Sequence, residues 1–452
     1  MGHARFLAAA LARASAAALV AWPTSPAMAQ EQSHATRVLT LAQVEQVASQ
    51  QPQMLVARAN AEVAEAQSGQ AHAPMLPQVT AQAGYTRETG NFALSPAQAA
   101  AFNRPGATAP STSLTTSYNY WNFGITASQL IYDFGQTPDR AKASSLNAEA
   151  QRVAERTTRL QVMLTVRQAY FNARAMKDLV DVAKETLDDQ NKHLMQVQGY
   201  VQVGTQPPIA LAQQKAGVAN AIVQLISAQN NYETAKAQLN QAAGITGGTD
   251  YEVGDEQIPT VNDEDQPLET LYAKAIAARP ELATLYKERE AQEATVTSAK
   301  GGYGPTLSAN AGITAVGYAL DTMAPNWSIG ALLNWPIFQG GLTKATVRQA
   351  EAQLSSIDAQ TALQELQVRL SVDSARLAVK AAKATIGAAE DAVNSAREQL
   401  RLAEQRYSTG VGNIIELGDA QVAYTAASAQ LVQARYGLAS ARAQLLAALG
   451  RT

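Results

Sequence analysis

The sequence predicts a mixed α+β membrane protein built from two copies of one plan, each a strand pair feeding a very long helical hairpin. Three observations predict it. Apolar residues switch twice from a two-residue to a 3.6-residue period, in ITASQLIYDFGQTPDRAKA (125–143) and in IGALLNWPIFQGGLTKA (329–345). Landmark prolines and glycines recur at fixed offsets between the halves. Beyond the N-terminal stretch, no segment approaches 18 consecutive apolar residues, so any membrane crossing must be made by strands.

The first element is an export signal. His3, Arg5 and Arg13 precede or punctuate an Ala/Leu-rich stretch from Phe6 to Val20, followed by a break at Trp22-Pro23 and by Ala27-Met28-Ala29. A basic start, a short apolar core and an A-x-A ending describe a secretory signal peptide over 1–29, cleaved after Ala29 to leave Gln30 first. The chain has no cysteine, which excludes disulfides and a lipid-modified N-terminal cysteine. A net charge of −3 gives no basic footprint for nucleic acid.

The duplication follows from the numbering. Pro52 and Pro280, like Pro77 and Pro305, are 228 residues apart, while Gly204 and Gly410, like Gly244 and Gly450, are 206 apart. The offset falls by 22 because the stretch near Arg87 to Ser117 is longer in the first copy. We expect a first copy over 30–246, an acidic linker over 247–267 and a second copy over 268–452.

Each copy opens with a moderate helix and then a strand hairpin, at about 78–134 and about 306–338. Val79, Ala81, Ala83 and Tyr85 alternate with polar residues and glycine, as do Leu307, Ala309, Ala311 and Ile313. The return strands, 118–132 and 327–338, carry Tyr120, Trp121, Tyr132, Phe134, Trp327, Trp335 and Phe338 at or near their ends. Aromatic residues there suit the two interfaces of an outer-membrane barrel. Two hairpins make four strands, too few to enclose an open lumen, so other subunits must complete the sheet.

The helical hairpins follow at about 139–243 and about 342–449. The first long helix is expected from Asp139 to Val203, some 65 residues or about 95 Å. Apolar residues recur three and four apart, as in Leu160, Met163, Leu164, Tyr170 and Phe171, and elsewhere Ala and Gln fill the stripe. Such a stripe suits the close helix-to-helix packing of a coiled-coil hairpin.

No catalytic constellation is present. His3, His34, His72 and His193 are scattered, and the chain has neither HExxH nor a phosphate-binding loop ending in GK[ST]. The acidic run Asp255, Glu256, Asp263, Glu264 and Asp265 reads as a solvated linker in preference to a metal site. We expect no enzyme, cofactor or bound metal.

The segments LTLAQVEQVASQQPQM, GPTLSANAG, NWPIFQGGLTKA, AEQRYSTGVGNIIELGDAQ and QARYGLASARAQLLAALG resemble the TolC-like outer-membrane efflux protein family across nearly the whole chain after the signal peptide. The resemblance implies a homotrimer with one shared twelve-strand barrel in outer-membrane lipid. It implies a coiled-coil α-helical tunnel across the periplasm, closed at rest at its periplasmic end, and partners in a periplasmic adaptor and an inner-membrane transporter. The missing lipid-type cysteine is similar to the unacylated branch.

On the same pattern, the adaptor-docking turns hold Gly204, Pro207, Gly410 and Gly412, and Glu416 and Asp419 align with the acidic ring at the periplasmic constriction. Tyr407 aligns with a gating tyrosine and Arg435 with an arginine further along the same helix. Residues 413–416 also read as a capping box from Asn413 to Glu416, which competes with a pore role for Glu416. Gly412 and Ala210 stand where the family's latch has an arginine and an aspartate, so that latch cannot form here. Two alternatives share these features: a periplasmic coiled-coil adaptor or scaffold without a pore, and an exit duct for type I protein secretion.

Overall fold

The computed structural model describes residues 37–89, 117–256, 260–261 and 263–451. The expected signal peptide and most of the longer stretch near Arg87 to Ser117 lie outside the described residues. One compact unit covers Val38–Thr452. Its elements are β1 (Arg37–Leu39), α1 (Leu41–Ala48), α2 (Pro52–His72), β2 (Gln78–Thr89), β3 (Ser117–Tyr132), α3 (Gln136–Gln202) and α4 (Pro208–Ala243). These are followed by β4 (Tyr251–Val253), α5 (Leu268–Ala278), α6 (Pro280–Gly301), β5 (Thr306–Gly317), β6 (Ala324–Asn334), α7 (Leu342–Ser408) and α8 (Ile414–Ala448).

The two longest helices are 67 residues each, about 100 Å of rise. The first begins at Gln136 instead of Asp139, because Gly135 at φ 88° turns the chain and the buried Asp133 accepts the Thr137 N–H at 2.7 Å. Gly341, at φ 87°, does the same turn before α7. Both helices end alike. The Gly204 N–H reaches the Val201 carbonyl at 3.1 Å and Thr205 reaches Tyr200 at 2.9 Å, while Gly410 reaches Tyr407 at 3.1 Å and Val411 reaches Arg406 at 3.0 Å. These are Schellman motifs, whose left-handed C′ position favours glycine.

The four long strands form one antiparallel sheet in the order β2-β3-β5-β6. Its register sorts the side chains by face. Val79, Ala81, Ala83 and Tyr85 pair with Ala127, Ile125, Phe123 and Trp121, and these continue into Ala311, Ile313, Ala315 and Gly317. Trp327, Ile329, Ala331 and Leu333 complete this apolar face opposite Ile313, Ala311, Ala309 and Leu307. The other face carries Thr80, Gln82, Asn122, Thr126, Ser308, Asn310, Thr314, Asn326 and Ser328, with the Thr80 and Thr126 hydroxyls 2.8 Å apart.

This register places the expected aromatics on different faces. Tyr120 stands on the polar face, its ring 6.5 Å from that of Tyr318. Trp121 is on the apolar face, 4.6 Å from the Tyr85 ring. A bulge between Leu130 and Tyr132 carries Tyr132 onto the apolar face beside Leu307. Strand β6 stops at Asn334, so Trp335 and Phe338 lie beyond it, both exposed; Pro336 has no N–H to extend the ladder. Phe134 lies in the turn after β3.

The helices pack in a layer. α3 runs along α4, α8, α2 and α6, while α7 runs along α8, α6 and α5. One core gathers Val166, Tyr170, Leu239 and Val253, and another gathers Leu271, Leu282, Val368 and Leu445. The acidic linker is solvated at Asp255 and Asp265, as expected, but not at Asp263 and Glu264. Glu264 is buried and accepts two bonds from Arg442, at 2.8 and 2.9 Å, and lies 2.8 Å from Lys383. Asp263 pairs with Lys274 at 3.0 Å and Arg451 at 2.8 Å, and the Glu256 carboxylate accepts the N–H of Leu41 at the start of α1 at 2.8 Å. The run clasps α5, α7 and the end of the chain.

Candidate gate at the helical hairpin tips

The turns from α3 to α4 and from α7 to α8 lie next to each other, and a small core joins them. Val197 and Ala210 from the first hairpin are buried with Leu400, Ala403, Tyr407, Leu417 and Ala420 from the second. Tyr407 is 2% exposed, and its ring meets the edge of Tyr200 at 6.0 Å between centroids and 60° between planes. Its hydroxyl is buried with no hydrogen-bond partner. Burial, with a smaller contribution from Tyr200, raises the Tyr407 phenol above its ordinary value, so it stays neutral at physiological pH. Tyr407 therefore holds the tips by packing alone.

Gly412 has a steric reason of its own. A Cβ there would lie 2.8 Å from the Tyr407 nitrogen and 2.9 Å from the Arg406 carbonyl carbon, because the Gly412 N–H closes onto the Arg406 carbonyl at 2.8 Å. No side chain fits this turn. Gly204 and Gly410 have open space around them and are required by their φ of 78° and 79°. Pro207 caps α4, and Ala210 is buried beneath it, its N–H on the Pro207 carbonyl at 3.0 Å.

The acidic pair divides. Asn413 caps α8 by accepting the Ile415 N–H at 3.2 Å, but Glu416 does not return the bond; it reaches Arg406 at 3.1 Å instead. The reciprocal half of the expected capping box is thus absent, since the guanidinium offers a charge-assisted partner. Asp419 is exposed, with no ion-pair or hydrogen-bond partner among the described residues. Arg435 is not brought to the tips. It lies about 24 Å along α8 from Asp419, and it pairs with Glu390 at 3.6 Å.

Sequence reasoning missed Tyr200 and Arg406. The 206-residue offset makes them counterparts and places Tyr200 one position before the counterpart of Tyr407, a signal that could have found both. It also missed the seam joining the hairpins, where the Gln190 amide donates to Gln421 at 2.9 Å, Thr186 lies 3.0 Å from Thr425, and the Tyr436 hydroxyl donates to Asp178 at 2.8 Å. No group of three metal-ligating residues occurs among the described residues, and no described helix is long and apolar enough to cross a membrane.

A sequence profile of outer membrane efflux proteins matches residues 29–245 and again 271–451. The chain belongs to the outer membrane efflux protein family. Members of this family are channels, not enzymes; they reside in the outer membrane of Gram-negative bacteria and work in tripartite systems with adaptors and inner-membrane pumps. Among curated relatives, the chain is 28% identical to the outer membrane efflux protein BepC of Brucella suis over 51% of its own length and 50% of BepC. It is 25% identical to the outer membrane protein TolC of Escherichia coli over 88% of this chain and 79% of TolC. The chain spans about half the length of the first curated relatives it matches. The fold is that of the CmeC outer membrane channel of Campylobacter jejuni, with a TM-score of 0.77 at 21% identity over 91% of this chain and 85% of CmeC. The VceC outer membrane protein of Vibrio cholerae gives the same TM-score of 0.77, at 19% identity over 91% of this chain and 96% of VceC.

Proposed function

We infer that this outer membrane efflux protein is the homotrimeric channel-tunnel of a tripartite export system, closed at rest at its periplasmic end. The carrying observation is the four-stranded sheet with one apolar face and two open edges. Among the described residues β2 pairs only with β3 and β6 only with β5. An open edge cannot stand in lipid, so the β6 edge of one copy would pair with the β2 edge of the next. Eight strands close on an interior filled by side chains, so twelve is the smallest multiple of four that leaves a passage.

The helices support the same closure. α2 and α4 lie on one flank of the layer and α7 on the other. Leu55, Val56, Ile222 and Ile226 are exposed on the first flank, and Leu363, Leu366, Leu370 and Leu377 on the second. Two different flanks meeting head to tail generate a ring. Three copies would converge the tips, place Asp419 and Glu416 around the entrance as an acidic ring, and offer the turns at Gly204, Pro207, Gly410 and Gly412 to an adaptor.

The apolar face with Tyr85, Trp121 and Trp327 towards its far end and Tyr132 towards its helix end would meet lipid. Sedimentation of the detergent-solubilised protein tests the assembly. Three copies per particle, recovered from outer membranes and resistant to salt extraction, is the expected result. A monomer released by salt would replace the channel with a periplasmic scaffold.

A further inference from the structure

The two halves of the chain meet along a seam that runs from the sheet to the hairpin tips. At the sheet end β3 pairs with β5, and the Phe134 ring occupies the place that a Cβ on Gly304 would take. Along the helices α3 lies against α6 and α8. Towards the tips the Thr186 and Thr425 hydroxyls are 3.0 Å apart, and Glu185 and Gln421 line the same narrow cleft.

The elements of this seam have counterparts in the other half, and the counterparts face outward. The offset of 206 residues carries β3 and α3 onto β6 and α7, and α8 back onto α4; the offset of 228 carries α6 and β5 back onto α2 and β2. Those counterparts are the two open sheet edges and the two flanks of the helix layer. Burial changes accordingly. Ala291 and Ala294 on α6 are buried, whereas Val63 and Ala66, their counterparts on α2, are exposed. Gln421 on α8 is buried and Lys215 on α4 exposed, and Leu160 on α3 is buried and Leu366 on α7 exposed.

The outward counterparts are also complementary to each other. Within the chain the large Phe134 meets the small Gly304; their counterparts are the small Gly340, with nothing within 4 Å, and the large, exposed Leu76. The counterparts of Glu185 and Gln421 are Asp391 and Lys215, of opposite charge. Both are exposed without an ion-pair or hydrogen-bond partner among the described residues, and Lys215 is the one charged residue of α4 before Glu233. The register of β3 on β5, carried over to β6 and β2, sets Ala331 opposite Tyr85 and Leu333 opposite Ala83. All four are on the apolar face, and a slip of one residue would set apolar against polar.

We propose that the seam between two copies of this chain repeats the seam between its halves. α7 of one copy lies against α2 and α4 of the next, Leu76 of the next copy covers Gly340, and Asp391 pairs with Lys215 of the next copy. The ion pair fixes the register along the helices, because opposite charges brought together favour one alignment and a shifted one leaves both unpaired. This interface rests on the ring assembly proposed above and supplies its residue-level pairing.

The chain lacks cysteine, so a pair of introduced thiols reports on one contact alone. Ala392 and Ala219 are the counterparts of Thr186 and Thr425, whose closeness matches what a disulfide needs. The full chain carrying Ala392→Cys and Ala219→Cys is mildly oxidised in detergent and run on a non-reducing denaturing gel, with sedimentation of the same sample. Covalent dimers and trimers are expected. They should be absent when Ala392→Cys is combined with Ile226→Cys, about 10 Å further along α4. A sedimenting trimer without covalent bonding would overturn the interface and leave the ring assembly standing, whereas a monomer would overturn both. As a second measurement, Lys215→Asp should lower the temperature at which the trimer dissociates in detergent, and adding Asp391→Lys should restore it. A double variant no more resistant than Lys215→Asp alone would overturn the pairing of Asp391 with Lys215.

Discussion

Phe134 and Gly340 hold the same place in the two strand-to-helix turns. Each immediately precedes the glycine that begins a 67-residue helix, and both have left-handed backbone, at φ 55° and φ 60°. Phe134 is the one non-glycine with positive φ among the described residues. A side chain there costs about 1–2 kcal/mol, and the surroundings show what offsets it. Its ring fills the space beside Gly304, where a Cβ would lie inside the ring, and its carbonyl lies against Gly301. Gly304→Ala should therefore lower thermal stability by about 2 kcal/mol, and Phe134→Gly should restore most of that loss. A thermal scan of the single and double variants checks it.

Tyr407 gives a second prediction. Its ring packs on Tyr200 while its hydroxyl bonds nothing, so the phenyl ring should suffice. Tyr407→Phe should leave stability unchanged or raise it by up to about 1 kcal/mol. Tyr407→Ala should cost about 3–5 kcal/mol and increase the time spent open. Single-channel recording of both variants separates packing from hydrogen bonding.

Gly412 gives a third, because its missing side chain leaves room for the turn to close on Arg406. Gly412→Ala should open the α7–α8 turn, costing about 1–3 kcal/mol, whereas Gly418→Ala, with nothing within 4 Å, should be neutral or slightly stabilising. Limited proteolysis at the tip distinguishes the two.

The clasp around Glu264 makes acid sensitivity a fourth. Burial pushes its carboxyl up, but the bonds from Arg442 and Lys383 outweigh burial and leave it below its ordinary value. A depressed carboxylate contributes stability that is fully present above the unfolded value, about pH 4.3, and lost as pH falls through the lower folded value. Glu264→Gln should cost about 3 kcal/mol at neutral pH and flatten the acid limb of a stability-against-pH curve.

The long helices and the strand faces were legible because each rests on periodicity and on glycines that a turn requires. Gly204 and Gly410 announced both helix ends, and the alternation from Val79 to Tyr85 announced the apolar face. The side of the sheet taken by each aromatic was not read from the sequence, and the neighbouring pair Tyr120-Trp121 necessarily splits between opposite faces of a strand. Asp263 and Glu264 were misread for a different reason. Their partners, Arg442, Lys383, Lys274 and Arg451, are remote in sequence from most of them, and only the packing of α5, α7 and α8 brings them together. Glu416 likewise had two local explanations, and the structure supplied a third in Arg406.

The central claim is an ion-conducting tunnel whose mouth is lined by carboxylates, and planar-bilayer conductance tests it most directly. Asp419 is without a partner among the described residues while Glu416 is tied to Arg406, so the two should not contribute equally. Wild-type protein should give small cation-selective steps blocked by millimolar divalent cation, with Asp419→Ala relieving more of the block than Glu416→Ala and the double variant relieving nearly all of it. A folded trimer that gives no steps would contradict the channel, and steps whose divalent block is unchanged in the double variant would contradict the acidic mouth.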